Sequence, residues 1–269
     1  MRGHDRRFHR ALVSVLEATE EILDQERFGS VVTILSGPET GDKAVIDSEG
    51  RIVAGQLDTA IREQVVEDAV ALMRNEQHRA LDYGETSVFF ETLAPPQDLI
   101  IFGAVHIGQS LAQFASQMGY RVTVVDARSA FATGERFPTA GRVLAGWPGE
   151  LLDQLTFDER TWVVVLAHDQ RHEDPVLDAA LKSEVRYIGA MGSRRTHDLR
   201  VERLLARGFS NDDISRIHGP IGLDIGAETP QEVAISILAE MTMMRYGSGS
   251  GTPLHGRPGR VHLQRPEDE

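Results

Sequence analysis

The segment from Asp98 to Asp126 constrains the fold of this chain more than any other. An apolar run ends at Gly103, a segment with helical spacing follows over residues 107–118, and a second apolar run closes the segment. This order and length are typical of a strand–turn–helix–strand unit, in which a helical crossover joins two parallel strands. The segment therefore predicts a Rossmann-like α/β fold with a nucleotide-like ligand.

The glycine fingerprint of this unit is incomplete. Dinucleotide-binding turns have the pattern Gly-x-Gly-x-x-Gly, whereas this chain has Gly103, Val105 and Gly108 at the three positions. The branched side chain of Val105 stands where a pyrophosphate normally approaches the backbone. The start of the following helix still offers free N–H groups to an anion. A purely structural turn and a ligand-binding turn therefore both stay open on this motif alone.

Two further candidates are expected at the carboxyl edge of the predicted sheet. Asp126 ends the second strand, where an acid can accept hydrogen bonds from a ribose hydroxyl; a turn cap is the alternative interpretation. His168 follows an apolar strand and could act as an acid, a base or a ligand, or only cap the next loop. His172 is expected on a solvated loop nearby. Neither Asp126 nor His168 identifies a ligand by itself.

The string YIGAMGSRR predicts an anion site. A strand runs to Gly192, Ser193 begins a helix, and Arg194 and Arg195 follow in its first turn. Basic side chains at this end oppose the helix dipole, so they need a local reason. A bound anion would supply that reason, with Ser193 and backbone N–H groups as donors and an arginine as a bidentate partner. The alternative is that both arginines point to solvent or pair with neighbouring acids.

The string HGPIGLDIGAETPQE is the most distinctive in the chain. Its last four residues, from Thr229, form a capping box with proline at the first helical position, which predicts a helix start at 229–230. Asp224 and Glu228 precede this start in a glycine-bent loop. Their carboxylates could accept hydrogen bonds from the ring N–H groups of a heterocycle. The alternative is a turn-forming aspartate and a glutamate that stabilises the helix dipole.

Strand and helix patterns divide the chain near Pro95 and Pro96. Residues 1–94 predict a small α+β domain. Strands and helices then alternate over residues 97–246, which predicts a mostly parallel sheet with helices on both faces. Residues 247–269 are rich in glycine, proline and charge without periodicity, and we expect a disordered tail. The strands predicted after Pro96 are 98–102, 121–126, 142–145, 161–167 and 185–188, and the helices are 107–118, 149–155, 173–183, 194–207, 211–217 and 229–245.

Composition excludes several classes of site and partner. The 269 residues include no cysteine, which excludes disulfides, thiolate nucleophiles and cysteine-ligated metal centres. A net charge of −13 argues against nucleic acid or an anionic membrane as partner. No apolar run approaches the ~20 residues of a membrane span, and no signal-peptide core is found. We therefore expect a cytoplasmic protein without a membrane span.

Four strings, in order, resemble the XdhC/CoxI family, the accessory proteins of xanthine dehydrogenase and related molybdenum hydroxylases. They are IFGAVHIGQSLAQFASQMGYRVTVVDAR, VVVLAHD, YIGAMGSRR and IHGPIGLDIGAETPQEVAISILAE, and the similarity covers about residues 98–245. The resemblance implies a chaperone that binds molybdenum cofactor, protects it, supports its sulfuration and delivers it to an apo-hydroxylase. It also implies a Rossmann-like C-terminal domain after a reduced form of the family's first domain.

The resemblance also implies where the cofactor binds. The turn with Gly103 and His106 matches the family's glycine–histidine turn, and the segment from Ser193 matches its Gly-Ser-Arg segment. Two departures stand against this: Val105 replaces a glycine, and the first domain lacks the expected glycine run and cysteine, so thiol chemistry cannot occur in this chain. The predicted cofactor-binding residues are Gly103, His106, Gly108, Asp126, His168, Gly192, Ser193, Arg194, Arg195, Asp224 and Glu228.

The expected cargo is molybdenum cofactor, as molybdopterin or its dinucleotide form, with NAD as the alternative ligand. The expected partners are an apo molybdenum hydroxylase, a cysteine desulfurase and a second copy of the chain in a homodimer. Two other functions stay open: an NAD-dependent oxidoreductase, which Asp126 favours, and a non-catalytic Rossmann interaction module. The sequence identifies no catalytic residue and no metal site, and it favours a cofactor chaperone over a catalyst.

Overall fold

The computed structural model describes residues 14–57, 60–167, 169–247 and 249–256. The chain forms two compact units, one on each side of the bond between Pro96 and Gln97.

The first unit is a five-stranded antiparallel sheet with helices on both faces. Val32 and Ile34 pack towards one helix, whereas Val31, on the opposite face of the same strand, packs towards the other, as strand alternation requires. The strands are β1 (Gly29–Ser36), β2 (Lys43–Asp47), β3 (Ile52–Gly55), β4 (Arg79–Tyr83) and β5 (Thr86–Leu93), in the order β3-β2-β1-β5-β4. The helices are α1 (residues 14–24) and α2 (Arg62–Arg74).

The second unit is a six-stranded parallel sheet. Its strands are β6 (Asp98–Phe102), β7 (Arg121–Asp126), β8 (Arg142–Ala145), β9 (Thr161–Val165), β10 (Tyr187–Ala190) and β11 (Ile217–His218). Their order is β11-β10-β9-β6-β7-β8, and every neighbouring pair is parallel. This is the doubly wound order, in which the strand order reverses between β6 and β9. The predicted Rossmann-like α/β fold is confirmed.

Helices cover both faces of the parallel sheet, which is why its central strands are apolar throughout rather than alternating. The helices are α3 (His106–Gln117), α4 (Pro148–Leu151), α5 (Gln170–Leu181), α6 (Arg194–Ala206), α7 (Asn211–Ser215) and α8 (Pro230–Tyr246). In β6, Leu99 and Ile101 pack in the core with α3 and α8, while Ile100 and Phe102 pack in the core with α5, α6 and α7.

Several predicted boundaries are corrected. The predicted helix 211–217 ends at Ser215, because Ile217 and His218 pair with β10 as a sixth strand. The predicted helix 149–155 is the single turn α4 followed by a 3₁₀ turn at Leu152–Gln154. The sequence does not predict strand β4, and β9 ends at Val165 instead of 167.

The ends of the chain are described only in part. Residues 249–256 of the predicted tail include a 3₁₀ turn, Leu254–Gly256, whereas 257–269 lie outside the described residues. None of the helices in the described ranges combines the length and apolarity that a membrane crossing needs.

Candidate functional site

One edge of the parallel sheet collects most of the predicted site residues. Gly103 follows β6, Asp126 ends β7, Gly192 lies just beyond β10, and Asp224 lies in the segment after β11. Because the strands are parallel, their carboxyl ends all meet at this edge. The strand order reverses here between β6 and β9, and open α/β sheets bind ligands at such a point. His168 is predicted at the same edge but lies outside the described residues.

The turn between β6 and α3 depends on two glycines. Gly103 has a φ of +122°, and a Cβ added there would lie 3.2 Å from the Leu166 side chain and from the Ala167 nitrogen. A Cβ added at Gly108 would lie 2.6 Å from the Gly103 carbonyl oxygen. Only glycine therefore permits this close approach of helix, turn and strand.

Val105, which replaces the middle glycine of the turn, packs against the protein core. Its side chain is partly buried and packs against the core that α3 and α8 share, as do Met191 and Val233. The turn after β6, the turn after β10 and the start of α8 are therefore joined through one core. His106, the first residue of α3, is exposed beside them.

Asp126 organises the turn from the neighbouring strand. Its buried carboxylate accepts four hydrogen bonds: from the Ala104 N–H at 2.6 Å, and from the N–H, Nε and Nη2 of Arg128 at 2.9, 2.9 and 2.7 Å. Burial raises the pKa of Asp126, but the bonds from Arg128 and Ala104 outweigh it and hold the pKa below its ordinary value. Each oxygen already accepts two bonds, which favours the turn interpretation over ribose binding.

The helix start at Ser193 has the predicted form. The Ser193 hydroxyl accepts a hydrogen bond from the Thr196 N–H at 3.1 Å, and Gly192 before it has a φ of +147°. Arg194 and Arg195 are exposed in the first turn of α6. Within the described ranges, neither guanidinium has a hydrogen bond or an ion pair. Two unpaired cations therefore lie at the positive end of a helix, at the ligand edge of the sheet.

A buried arginine supports this helix start. Arg200 is 0% exposed; its Nε and Nη2 bond the two carboxylate oxygens of Glu173 on α5 at 2.7 and 3.0 Å. Its Nη2 also donates to the Met191 carbonyl oxygen at 2.8 Å, which ties the turn after β10 to α6. Sequence reasoning missed this residue, because an arginine in a charged helix is normally placed in solvent.

The segment before α8 is held by Glu240. Its carboxylate accepts hydrogen bonds from the Tyr187 hydroxyl, from the His218 ring at 3.1 Å and from the Gly222 N–H at 2.9 Å. Burial raises the pKa of Glu240, but these hydrogen bonds lower it below its ordinary value. The ionised carboxylate therefore fixes the beginning of the loop that contains Asp224.

The predicted capping box at the start of α8 is confirmed. The Thr229 hydroxyl accepts from the Glu232 N–H at 3.3 Å, and the Glu232 carboxylate accepts from the Thr229 N–H at 2.8 Å. The side chains of Asp224 and Glu228 are exposed in the loop before this start. Both carboxylates are therefore accessible to a ligand at the edge of the sheet.

Sequence reasoning also missed an aromatic group beyond β8. Trp147 lies with its ring 4.6 Å from the ring of His172, edge to face, and the Arg171 guanidinium is 5.5 Å from the same indole. His172 is in the first turn of α5 and not on a solvated loop, which corrects the expectation. No periodic signal marks such a contact, because its partners lie on separate elements.

The protein-family model described as the XdhC Rossmann domain matches residues 99–241 of the sequence, just over half of the chain. The chain belongs to the XdhC Rossmann-domain family. The match spans the glycine turn, the helix start at Ser193 and most of α8, so it includes every described residue of the predicted site.

The XdhC-family chain is similar to three curated proteins over part of their length. It is 32% identical to a Bacillus subtilis protein named as a probable subunit of xanthine dehydrogenase, over 60% of this chain and 46% of that protein. It is 31% identical to the molybdenum cofactor insertion chaperone PaoD of Escherichia coli, over 55% of this chain and 40% of that protein. It is 26% identical to the E. coli protein YqeB, over 80% of this chain and 42% of that protein. The chain thus spans less than half the length of these relatives.

The fold of the XdhC-family chain is also found in a solved structure. A crystal structure described as a xanthine dehydrogenase from Bacillus halodurans is similar with a TM-score of 0.54 at 18% identity. The similarity covers 90% of this chain and 98% of the other. At this identity the comparison supports the architecture alone.

Proposed function

We propose that this XdhC-family protein binds a molybdopterin-type cofactor as cargo and delivers it to an apo molybdenum hydroxylase. The observation that carries the proposal is the pair Arg194 and Arg195, two unpaired cations at the start of α6 on the ligand edge of the sheet. The names of two relatives, a molybdenum cofactor insertion chaperone and a probable subunit of xanthine dehydrogenase, support the same cargo.

The residues at this edge suit a pterin that carries a phosphate. The phosphate would be held by the N–H groups at the start of α6 and by Arg194 or Arg195. The ring N–H groups of the pterin would donate to the exposed carboxylates of Asp224 and Glu228. The cofactor supplies the molybdenum chemistry of the client enzyme, whereas this chain supplies binding and orientation.

The proposal extends to protecting the cofactor and supporting its sulfuration. Because the chain has no cysteine, any thiol chemistry during sulfuration is assigned to a partner, for which a cysteine desulfurase is the candidate. The homodimer, the cytoplasmic location and the form of the pterin stay predictions.

The NAD-dependent oxidoreductase is supported less well. Both carboxylate oxygens of Asp126 are occupied by Arg128 and the backbone, so a ribose hydroxyl would have to displace one of these donors. The turn also lacks the middle glycine of the dinucleotide fingerprint, whose place Val105 takes.

Activation of an apo molybdenum hydroxylase tests the proposal. The wild-type chain mixed with molybdopterin, an equal amount of free molybdopterin, and the variants R194Q/R195Q and R160Q mixed with the same amount of molybdopterin are each added to the apoenzyme. Arg160 precedes β9 at the opposite edge of the sheet, so R160Q is the matched control.

We expect faster activation by the wild type and by R160Q than by free cofactor, and no advantage for R194Q/R195Q. Equal activation by free cofactor and by the loaded wild-type chain would contradict the proposal.

A further inference from the structure

The outer side of α8 carries a line of residues without charge. The inner side of this helix packs in the core of the parallel sheet. On the opposite side, spacings of four, three and four residues place Ile235, Ala239, Thr242 and Tyr246 in one line along the helix. Ile235 is 50% exposed and Tyr246 is 40% exposed, with half-buried Ala239 and Thr242 between them. A solvent-facing helix side normally carries charged residues, so this line is typical of a contact surface.

The charged residues of α8 lie off this line and are engaged within the chain. Glu232 closes the capping box, the Glu240 carboxylate holds the loop after β11, and the Arg245 guanidinium lies 5.7 and 5.5 Å from two tyrosine rings. The Thr242 hydroxyl donates to the Leu238 carbonyl oxygen at 2.7 Å. Covering the line therefore buries no charge and leaves the donor of Thr242 satisfied.

The line is complementary to itself. Its members run large, small, small and large, from Ile235 through Ala239 and Thr242 to Tyr246. In an antiparallel pair of α8 helices, a two-fold axis between the fifth residues from each end of the line would set Ile235 opposite Tyr246 of a second copy. The same axis would set Ala239 opposite Thr242 of the second copy, as a symmetric interface requires. The small central residues let the two helix axes approach to about 8 Å.

Further apolar surface lies next to the start of α8. The Leu223 N–H donates to the Ser236 carbonyl oxygen at 3.2 Å, which holds the preceding loop beside the helix, and Ile225 in this loop is 51% exposed. A Cβ added at Gly251 would lie 3.8 Å from the Leu223 side chain, and Leu254 beyond it is 56% exposed. These residues widen the surface towards the roughly 1,200–2,000 Å² that specific interfaces bury.

The charge of the chain favours a meeting of copies at this surface. Each copy carries a net charge of −13, so two copies repel one another. A contact through a side with acidic residues would add like-charge pairs to this repulsion, whereas the line on α8 adds none.

We propose that a second copy of this chain docks on the line from Ile235 to Tyr246, with the two α8 helices antiparallel about a two-fold axis. The pairing brings the end of one α8 beside the start of the other, next to the loop that contains Asp224 and Glu228. Tyr246 of each copy then borders the candidate site of the other. The interface does not depend on the identity of the cargo, so it stands or falls separately from the proposed function.

Disulfide cross-linking tests the pairing directly. Because the chain has no cysteine, an introduced cysteine reports contact at one position. A239C and T242C are mixed in equal amounts and oxidised briefly, and linked peptides are identified by mass spectrometry. Q113C, at an exposed position of α3, is the matched control. We expect a disulfide between the two α8 positions and far less cross-linking of Q113C.

Sedimentation velocity over a range of concentrations measures the strength of association. A239R brings two guanidinium groups together across the axis, and I235E places a carboxylate in an apolar contact. We expect a wild-type dimer that high salt strengthens, since salt screens the repulsion between the copies. Each variant should weaken dimerisation at least about tenfold, whereas Q113R should match the wild type. Circular dichroism confirms the fold of each variant, and I235E keeps the test decisive if A239R does not fold.

Three results would overturn the inference. They are a wild-type chain that stays monomeric at every concentration, a dimer that neither A239R nor I235E weakens, and cross-linking of Q113C equal to that of the α8 positions. A monomeric wild type that binds an apo molybdenum hydroxylase, with binding lost in I235E, would assign the surface to the client instead of a second copy.

Discussion

Replacing Arg200 with methionine tests how the turn at Gly192 is held in place. Arg200 is fully buried, bonds both oxygens of Glu173 and donates to the Met191 carbonyl oxygen. Methionine fills similar space without charge or donors, so R200M leaves the Glu173 carboxylate and the Met191 oxygen without these donors. The change therefore removes the link between α5, α6 and the turn after β10.

The size of the effect follows from the burial of the pair. Removing one partner of a buried ion pair costs about 3–5 kcal/mol, because the remaining charge stays buried. Arg203 still donates to Glu173 at 2.8 Å, so we expect about 3 kcal/mol, the lower end of that range. In a domain of 150–250 residues, this corresponds to a fall in Tm of roughly 6–12 °C.

Urea and thermal unfolding, followed by circular dichroism, measure the loss. The double variant R200M/E173Q removes the buried charge on both sides and should be more stable than R200M alone. Binding of molybdopterin should also weaken in R200M, because the turn before Arg194 loses its support.

An exposed pair in the same network is the control. Arg207 is 35% exposed in its side chain and bonds Asp174 and Asp178, so R207M should cost less than about 1 kcal/mol and leave binding unchanged. A loss of stability in R200M no larger than in R207M would contradict this expectation. So would a double variant R200M/E173Q whose loss equals the sum of the losses in R200M and in E173Q measured alone.

Three further predictions concern the other supports of the site. G192A should lower the free energy of unfolding by about 1–2 kcal/mol, because Gly192 has a positive φ, and it should also weaken cofactor binding. G208A is the control: Gly208 also has a positive φ but open space around it, so this variant should lose stability and keep cofactor affinity. Folding lowers the pKa of Glu240, so its carboxylate stabilises the folded chain at pH values above its ordinary pKa of 4.5. This stabilisation is lost as the pH falls through the lowered pKa. In an acid titration, E240Q should therefore lose less stability over that range than the wild type. D126N should destabilise the chain by about 1.5–3 kcal/mol in urea unfolding, since it weakens the charged hydrogen bonds to Arg128, and an unchanged midpoint would contradict this.

The sequence predicts the architecture of the second unit well, because its elements have strong local signals. Continuous apolar runs mark the central strands β6, β7 and β9, and the capping box before α8 marks a helix start that the structure confirms. The strand β11 escapes prediction, since two residues have no periodicity and become a strand only by pairing with β10. The edge strand β4 alternates half-buried and exposed positions without a strong apolar face, so it also lacks a signal.

The candidate site is predictable where a local motif forms it. The helix start at Ser193 follows from glycine, serine and basic residues in a row. Arg200 is not predictable, because its role depends on contacts with a residue 27 positions away in the chain. Such pairings are decided by tertiary packing, which a single sequence does not display.

The central claim is that this chain binds a molybdopterin-type cofactor through the start of α6. Its most direct test is an equilibrium titration of isolated molybdopterin into the wild-type chain, R194Q/R195Q and R160Q. The account predicts that the wild type and R160Q bind with equal affinity and that R194Q/R195Q binds at least about tenfold more weakly. Equal binding by all three proteins, or no binding by the wild type, would contradict it.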